Sequence, residues 1–563
     1  MTAVASPPRP ADAPTRSGRG TGGLSGTGTL FRLALRRDRV RASAWTLGIV
    51  LFVYSQAAPM KGLYPTQADL DRFAGAYSSD VNPGLVALTG PPRALNTYGG
   101  ATAWQVLTFA AVLLGLMSYL LVVRHTRAEE EAGRSDLVDA GPVGRYARLT
   151  AALLFVGLLN LLILVLSVAA LLTVGGIPFA GALALMAGCV SVGLVFATVG
   201  ALTAQLTEHA RTASSIAGAV LGAAFLLRAA GDSAAVSGSS GSWMSWLSPI
   251  GWAEAVRPFA GNRWWVLLIP AVTVLLLLTA VVALRMRRDA GAGIFRPGLG
   301  PAVAPRSLSG PFGLAWRLQR GSIIGWAVGA AIGGAAFGAL AQDMVTAASN
   351  DPETAELLRE YTGAGGSLAD VYLSMIYLIM GMIVAGYAVG AVLRTRTEEE
   401  SLRAEPVLAG AVSRVAWAGA HVLWVTVGSA VVLVSAGLAT GVAHGIRTDA
   451  VGSEAVRQIG AALGQLPAVL VLAAVAVALF GLLPRLAAVS WAVLLVAIVI
   501  GQFGEFLQLP GWLMNLSPFT HVPTLPGALP DGASAFAPYA WLLALAAVLA
   551  GVGLAGFRRR DIG

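Results

Sequence analysis

Apolar runs of roughly 20 residues recur along this chain, each long enough to cross about 30 Å of hydrocarbon. Short segments rich in arginine, acids, proline and glycine separate them. The pattern predicts spans near 42–60, 101–124, 148–174, 177–205, 211–229 and 263–286, and again near 322–343, 369–394, 415–441, 459–483, 486–508 and 538–558. Backbone groups in lipid must be satisfied within the segment, and the alternation of a barrel strand is missing, so the spans are helices. The expected fold is an all-α polytopic membrane protein of about twelve transmembrane helices. Ahead of the first span, FRLALRRDRVRA (Phe31–Ala42) mixes apolar and basic residues at helical spacing. It reads either as an interfacial helix or as a plain basic anchor.

Composition agrees with a membrane class. The 563 residues are 56% hydrophobic and 12% charged, with mean hydropathy +0.72, whereas soluble domains carry about 25% charged residues. The net charge of +9 resides at span ends, which argues against a nucleic-acid surface. Cys189 is the single cysteine, so intrachain disulfides and CxxC chemistry are excluded. Residues 1–29 are rich in Pro, Ser, Thr and Gly and lack an apolar core, as in a disordered cytoplasmic tail and unlike a signal peptide.

Arginine placement sets the expected orientation. Arg32, Arg36, Arg37, Arg39 and Arg41 precede the first span, Arg124 to Arg148 sit between the second and third, and Arg285 to Arg320 fill the centre. Arg558, Arg559 and Arg560 close the chain. By the positive-inside rule both termini face the cytoplasm. The organisation expected is a tail at 1–29, a six-span half at 30–290, a cytoplasmic linker at 291–311 and a second half at 312–563. Two halves with even span counts share one orientation, so an axis along the membrane normal should relate them.

A motif between the second and third spans occurs twice. TRAEEEAGRSDLVDAGPVGRYA (Thr126–Ala147) and TRTEEESLRAEPVLAGAVSRVA (Thr395–Ala416) lie 269 residues apart, with 12 of 22 positions identical. The same offset pairs Trp243, Leu247, Ser248 and Pro249 with Trp512, Leu516, Ser517 and Pro518, which signals duplication of a whole unit. Each copy carries three glutamates, then an arginine and an acid (Glu129, Glu130, Glu131, Arg134, Asp136; Glu398, Glu399, Glu400, Arg403, Glu405). Gly141 or Gly410 is expected to end a short helix in the left-handed conformation. The device is either a docking surface for a pair of soluble partners or a solvated hairpin whose charges fix topology.

Other chemistry is sparse. Lys61 is the only lysine and lies in APMKGLY, so the P-loop GxxxxGK[ST] is absent and ATP hydrolysis must come from elsewhere. No catalytic residue and no metal site is read. For ion coupling the candidates are Glu505 and His421, each equally readable as an interfacial or satisfied polar group. Asn160 and Gln502 read as interhelical hydrogen-bond partners. Few carboxylates are expected within the membrane, which favours an external energy source over a gradient, and no acid or histidine cluster marks an intramembrane enzyme. Trp104, Phe109, Tyr372 and Tyr377 are candidates for an apolar substrate path, with a lipid-facing position as the alternative.

Through the two motifs, the opening helix and LSPFTHVPTLPG (Leu516–Gly527), the chain resembles the membrane subunit of an ABC exporter. The specific resemblance is to the duplicated twelve-span permeases of polyketide antibiotic export (the tetronasin type), and it covers nearly everything after the tail. It implies coupling helices at Glu129–Gly141 and Glu398–Gly410 that seat in two copies of a separate ATP-binding subunit, which would hold ATP and Mg. No cofactor is implied in this chain, and no nucleic acid. The halves differ at Leu137 against Pro406 and at Ala132-Gly133 against Ser401-Leu402, so the two sites need not be equal. The implied role is export of hydrophobic or amphipathic small molecules, for antibiotic or multidrug resistance, from a bacterial cytoplasmic membrane. Export of a lipid or polymer precursor and gradient-driven transport are the alternatives.

Overall fold

The computed structural model describes residues 23–78, 81, 83–133, 141–287, 293–295, 303–305, 308, 310–350, 367–504, 509–527 and 536–560. The described secondary structure is entirely helical. Among the described residues, eleven helices are long and apolar enough to cross a membrane. Twelve were expected. The first expected span forms a helix, Arg39–Ala57, but Arg39, Arg41 and several hydroxyl and amide side chains dilute its apolar character.

Two compact units divide at residues 299 and 300. In the first, Tyr98–His125 and Phe179–Leu206 form the centre, with 72% and 83% of their most apolar stretches buried, against 17% for Trp264–Met286 at the periphery. In the second, the central helices are Leu368–Glu400 and Val451–Leu482, each 61% buried. These are the same two helices at the offset of 269. Their capping is local: Thr97 accepts from Gly100 N–H, and Ser367 and Asp370 form a reciprocal capping box.

The two units open differently. In the first, the basic helix Thr27–Arg37 is separate, and the chain breaks at Asp38 before Arg39–Ala57. Asp38 is buried and receives Arg124 Nε at 2.9 Å, with His125 Nε2 2.9 Å away but not hydrogen-bonded to it. Burial raises its carboxyl, but the Arg124 hydrogen bond and the surrounding cations hold it below the usual range. In the second, one helix runs unbroken over Pro311–Asn350, well beyond the expected start at 322. Matching Leu33-Ala34, Arg36, Arg39 and Trp45 to Leu314-Ala315, Arg317, Arg320 and Trp326 puts Gln319 in the place of Asp38; it stays helical and buried, and donates to His421 Nδ1 at 3.2 Å. A neutral amide needs no cationic partner, so nothing pulls the helix apart there.

Candidate functional site

The repeated motif folds as a clamp. In the first copy the short helix Arg127–Glu131 extends the Tyr98–His125 span. Arg127 is buried, donates to the Glu208 carbonyl through Nε and Nη2 (2.8 and 2.6 Å), and pairs with Glu130 at 2.8 Å. Arg148 also approaches Glu130, at 3.7 Å. Glu129 receives Arg37 from the opening helix at 2.6 Å. Glu131 accepts the Ala210 N–H at 2.9 Å, satisfying an open donor at the start of the helix Ala210–Val236. Thus each glutamate grips a different element.

In the second copy the glutamates are again ion-paired, but only Glu399 reaches a distant element, and the other two pair within their own helix and turn. Glu398 faces Arg394 and Arg403 (4.0 and 3.3 Å), Glu399 pairs with Arg560, and Glu400 receives Arg396 at 2.7 Å. The short helix Glu405–Leu408 does not stand free. Val407 and Leu408 pack on Trp417, Phe480 and Phe557. Arg134 and Asp136 lie outside the described residues, as does Glu505.

Two features of the motif were missed by sequence reasoning. Arg145 donates to the carbonyls of Arg285 and Met286 (2.9 and 3.3 Å), and Arg414, its repeat counterpart, to those of Arg560 and Arg558 (2.6 and 3.3 Å). In both units this arginine satisfies open carbonyls at the end of the unit's last span. The second feature corrects an expectation: Gly410 is not left-handed. The left-handed residues are Gly133 (φ 67°) and Leu402 (φ 57°), at equivalent positions of the two copies. Around them the turns Glu131–Gly133 and Glu400–Arg403 are exposed. Leu402, in a conformation costing a non-glycine residue about 1–2 kcal/mol, leaves 61% of its surface exposed.

The four path candidates have different surroundings. Phe109 is exposed and meets Phe52 edge-on. Tyr377 is buried in the core of the second unit, and Tyr372 packs against that core. Trp104 donates from Nε1 to the Gly90 carbonyl at 3.0 Å and lines a shallow cleft open to the surface. His421 sits edge-on to Trp417 and is bonded to Gln319, and Asn160 donates to Ser118 Oγ and the Val156 carbonyl. His421 is thus a satisfied polar group, and Asn160 bridges two spans through its amide nitrogen while its buried Oδ1 has no partner among the described residues.

Beside the cleft lies a charge cluster that the hydropathy pattern hid. The helix Ala210–Val236 runs past its expected end at 229, which carries Asp232 into the interior rather than into a loop. Arg228, fully buried, stands 3.6 Å from Asp232 and 3.5 Å from Glu254. Thr108 donates to Glu254 at 3.1 Å, and Ser245 to Asp232 at 2.6 Å. Burial pushes the Glu254 carboxyl well above the carboxylate range, with Arg228 opposing and Asp232 reinforcing the shift. Buried charge is therefore less scarce than expected. Arg93 and Arg257 also line the cleft. Burial and the repulsion of Arg257 lower the Arg93 guanidinium from its ordinary value.

Helical spans around two apolar cores define a multi-pass membrane protein. Residues 308–558 match the family model described as the C-terminal domain of the multidrug efflux system permease Rv1217c. The chain is also 39% identical over 541 residues, 96% of each chain, to the multidrug efflux system permease protein Rv1217c of Mycobacterium tuberculosis. It belongs to this family of multidrug efflux permeases.

Proposed function

We propose that this chain is the membrane subunit of an ATP-driven ABC exporter for hydrophobic or amphipathic small molecules. It works from a bacterial cytoplasmic membrane with both termini and both motifs inside. One observation carries the reading: in each unit the motif's ionic residues anchor an exposed turn at the same register. The sequence has no P-loop, so two copies of a separate ATP-binding subunit supply ATP and Mg. Closure of that pair on ATP pushes the two turns, and the clamps pass the movement to spans two, three and six of each half. Cargo access then switches from the inside to the outside. Polyketide antibiotics are the narrower cargo class that the motif resemblance favours.

Reversing the glutamates would disturb the clamps themselves, so the test belongs on the turns. Ala132→Asp and Leu402→Asp, co-reconstituted in liposomes with the candidate ATPase, should fold as wild type and lose complex formation and cargo-stimulated ATP hydrolysis. An exposed leucine buried on docking contributes about 1.5–3 kcal/mol, or about tenfold or more in affinity. Wild-type hydrolysis in both variants, or no stable complex with any ATPase, sinks the reading.

A further inference from the structure

The cleft at Trp104 lies at the far end of the Tyr98–His125 helix from the repeated motif, about 30 Å away by helix rise. Its walls come from three places: the loop Thr89–Arg93, the first turns of that helix (Gly100, Trp104, Leu107), and the segment Glu254–Pro258. One wall is apolar. Trp104 is backed by Tyr77 and Phe73, with ring centroids 5.0 and 6.3 Å away, and Tyr64 stacks behind Phe73 at 4.9 Å. The other wall is cationic. Arg93 donates to the backbone carbonyl of Glu254 at 2.9 Å, and among the described residues neither Arg93 nor Arg257 has a side-chain partner, although the charge of Arg257 bears on Arg93.

The acids nearby, Glu254 and Asp232, act on Arg93 through their fields without pairing with it. Glu254 and Asp232 both turn to Arg228, deeper in the unit. Arg263 adds a third cation whose field reaches Arg93. Two guanidinium groups that repel each other across a half-enclosed cleft gain most from an anion placed between them. The aromatic wall gains most from an apolar chain. The second unit carries Pro523 and Pro526 where the first has Glu254 and Arg257, and Leu373 where it has Trp104.

We propose that this cleft binds the carboxylate or phosphate head of an anionic amphiphile between Arg93 and Arg257, its apolar body lying along Trp104 and Leu107. There is one such site per chain. Two sources offer this chemistry, an exported amphiphile and an anionic phospholipid of the surrounding membrane. The site does not depend on how transport is powered.

The test uses the full chain in phosphatidylcholine nanodiscs, titrated with dodecanoate, dodecyl phosphate and dodecyltrimethylammonium. The two anions should bind saturably at one site per chain, and the cation should not. Arg257→Gln and Arg93→Gln should each weaken anion binding about tenfold or more. Arg257→Gln should melt as wild type, because the side chain it replaces holds nothing. Repeating the titration with phosphatidylglycerol in the disc separates the sources: competition assigns the site to lipid, and its absence assigns it to a carried amphiphile. Equal binding of the cationic probe, or unchanged anion binding in Arg257→Gln, overturns the proposal.

Discussion

Replacing Arg228 by methionine removes the one cation placed between Glu254 and Asp232. At separations of 3.5 and 3.6 Å and an effective dielectric of about 20, a fully ionised pair attracts by about 5 kcal/mol gross, and Glu254 contributes that attraction only in its ionised fraction. Desolvation offsets most of this while the cluster is intact. Taking away the partner leaves the desolvation uncompensated, which costs about 3–5 kcal/mol. Arg228 also donates to the carbonyls of Val86 and Leu88 (3.2 and 3.4 Å), which lose those donors in the variant. The deficit should depend on pH. Glu254 already titrates above its ordinary range, so the folded chain holds a proton that the unfolded chain releases near pH 4–5. Without Arg228 that carboxyl is held protonated more strongly still, and stability falls as pH rises from the unfolded value to the raised folded one. Thermal melts in detergent should therefore show a deficit of about 3–5 kcal/mol at pH 8, shrinking at pH 5. The double variant Arg228→Met/Glu254→Gln should regain part of the loss at pH 8. A variant that melts like wild type at pH 8, or whose deficit ignores pH, would refute this account.

Two further outcomes follow from the clamps and the opening helix. Arg145→Ala and Arg414→Ala should each lower stability by about 1.5–3 kcal/mol, since each deletes charged hydrogen bonds to helix-end carbonyls; hydrogen exchange should rise at residues 283–286 in the first and 556–560 in the second. A protein in which neither end loosens contradicts the capping role. The depressed carboxyl of Asp38 contributes stability above about pH 4 that is lost as pH falls through its lower folded value. Asp38→Asn should melt below wild type at pH 7, and the gap should close in acid. A gap that is constant between pH 7 and pH 3 would refute the pairing with Arg124 and His125.

The hydropathy pattern located eleven spans to within several residues at most ends, and the offset of 269 identified which helices correspond. Both follow from local chemistry, because a run of about 20 apolar residues has few alternatives to spanning lipid as a helix. The acidic triplets were visible as a repeated device, but their partners were not. Arg37 and Glu129 are 92 residues apart, and Arg414 reaches Arg560 across 146. The left-handed turn was misplaced because Gly141 and Gly410 are the glycines common to both copies, whereas the fold puts the strained conformation at Gly133 and Leu402. Asp38 and Gln319 look alike as polar residues ahead of a span. Only the presence of Arg124 and His125 beside Asp38 makes it a break.

The sequence alone determined a duplicated helical membrane chain with basic helix ends and no nucleotide-binding loop, because composition and period act residue by residue. Tertiary packing decided the rest. It brought Arg228, Asp232 and Glu254 from two helices into one buried cluster, and set Arg93 and Arg257 against Trp104 in the first unit only. Charges can be buried where distant elements bring compensating groups within a few ångströms, and that proximity is a property of the fold.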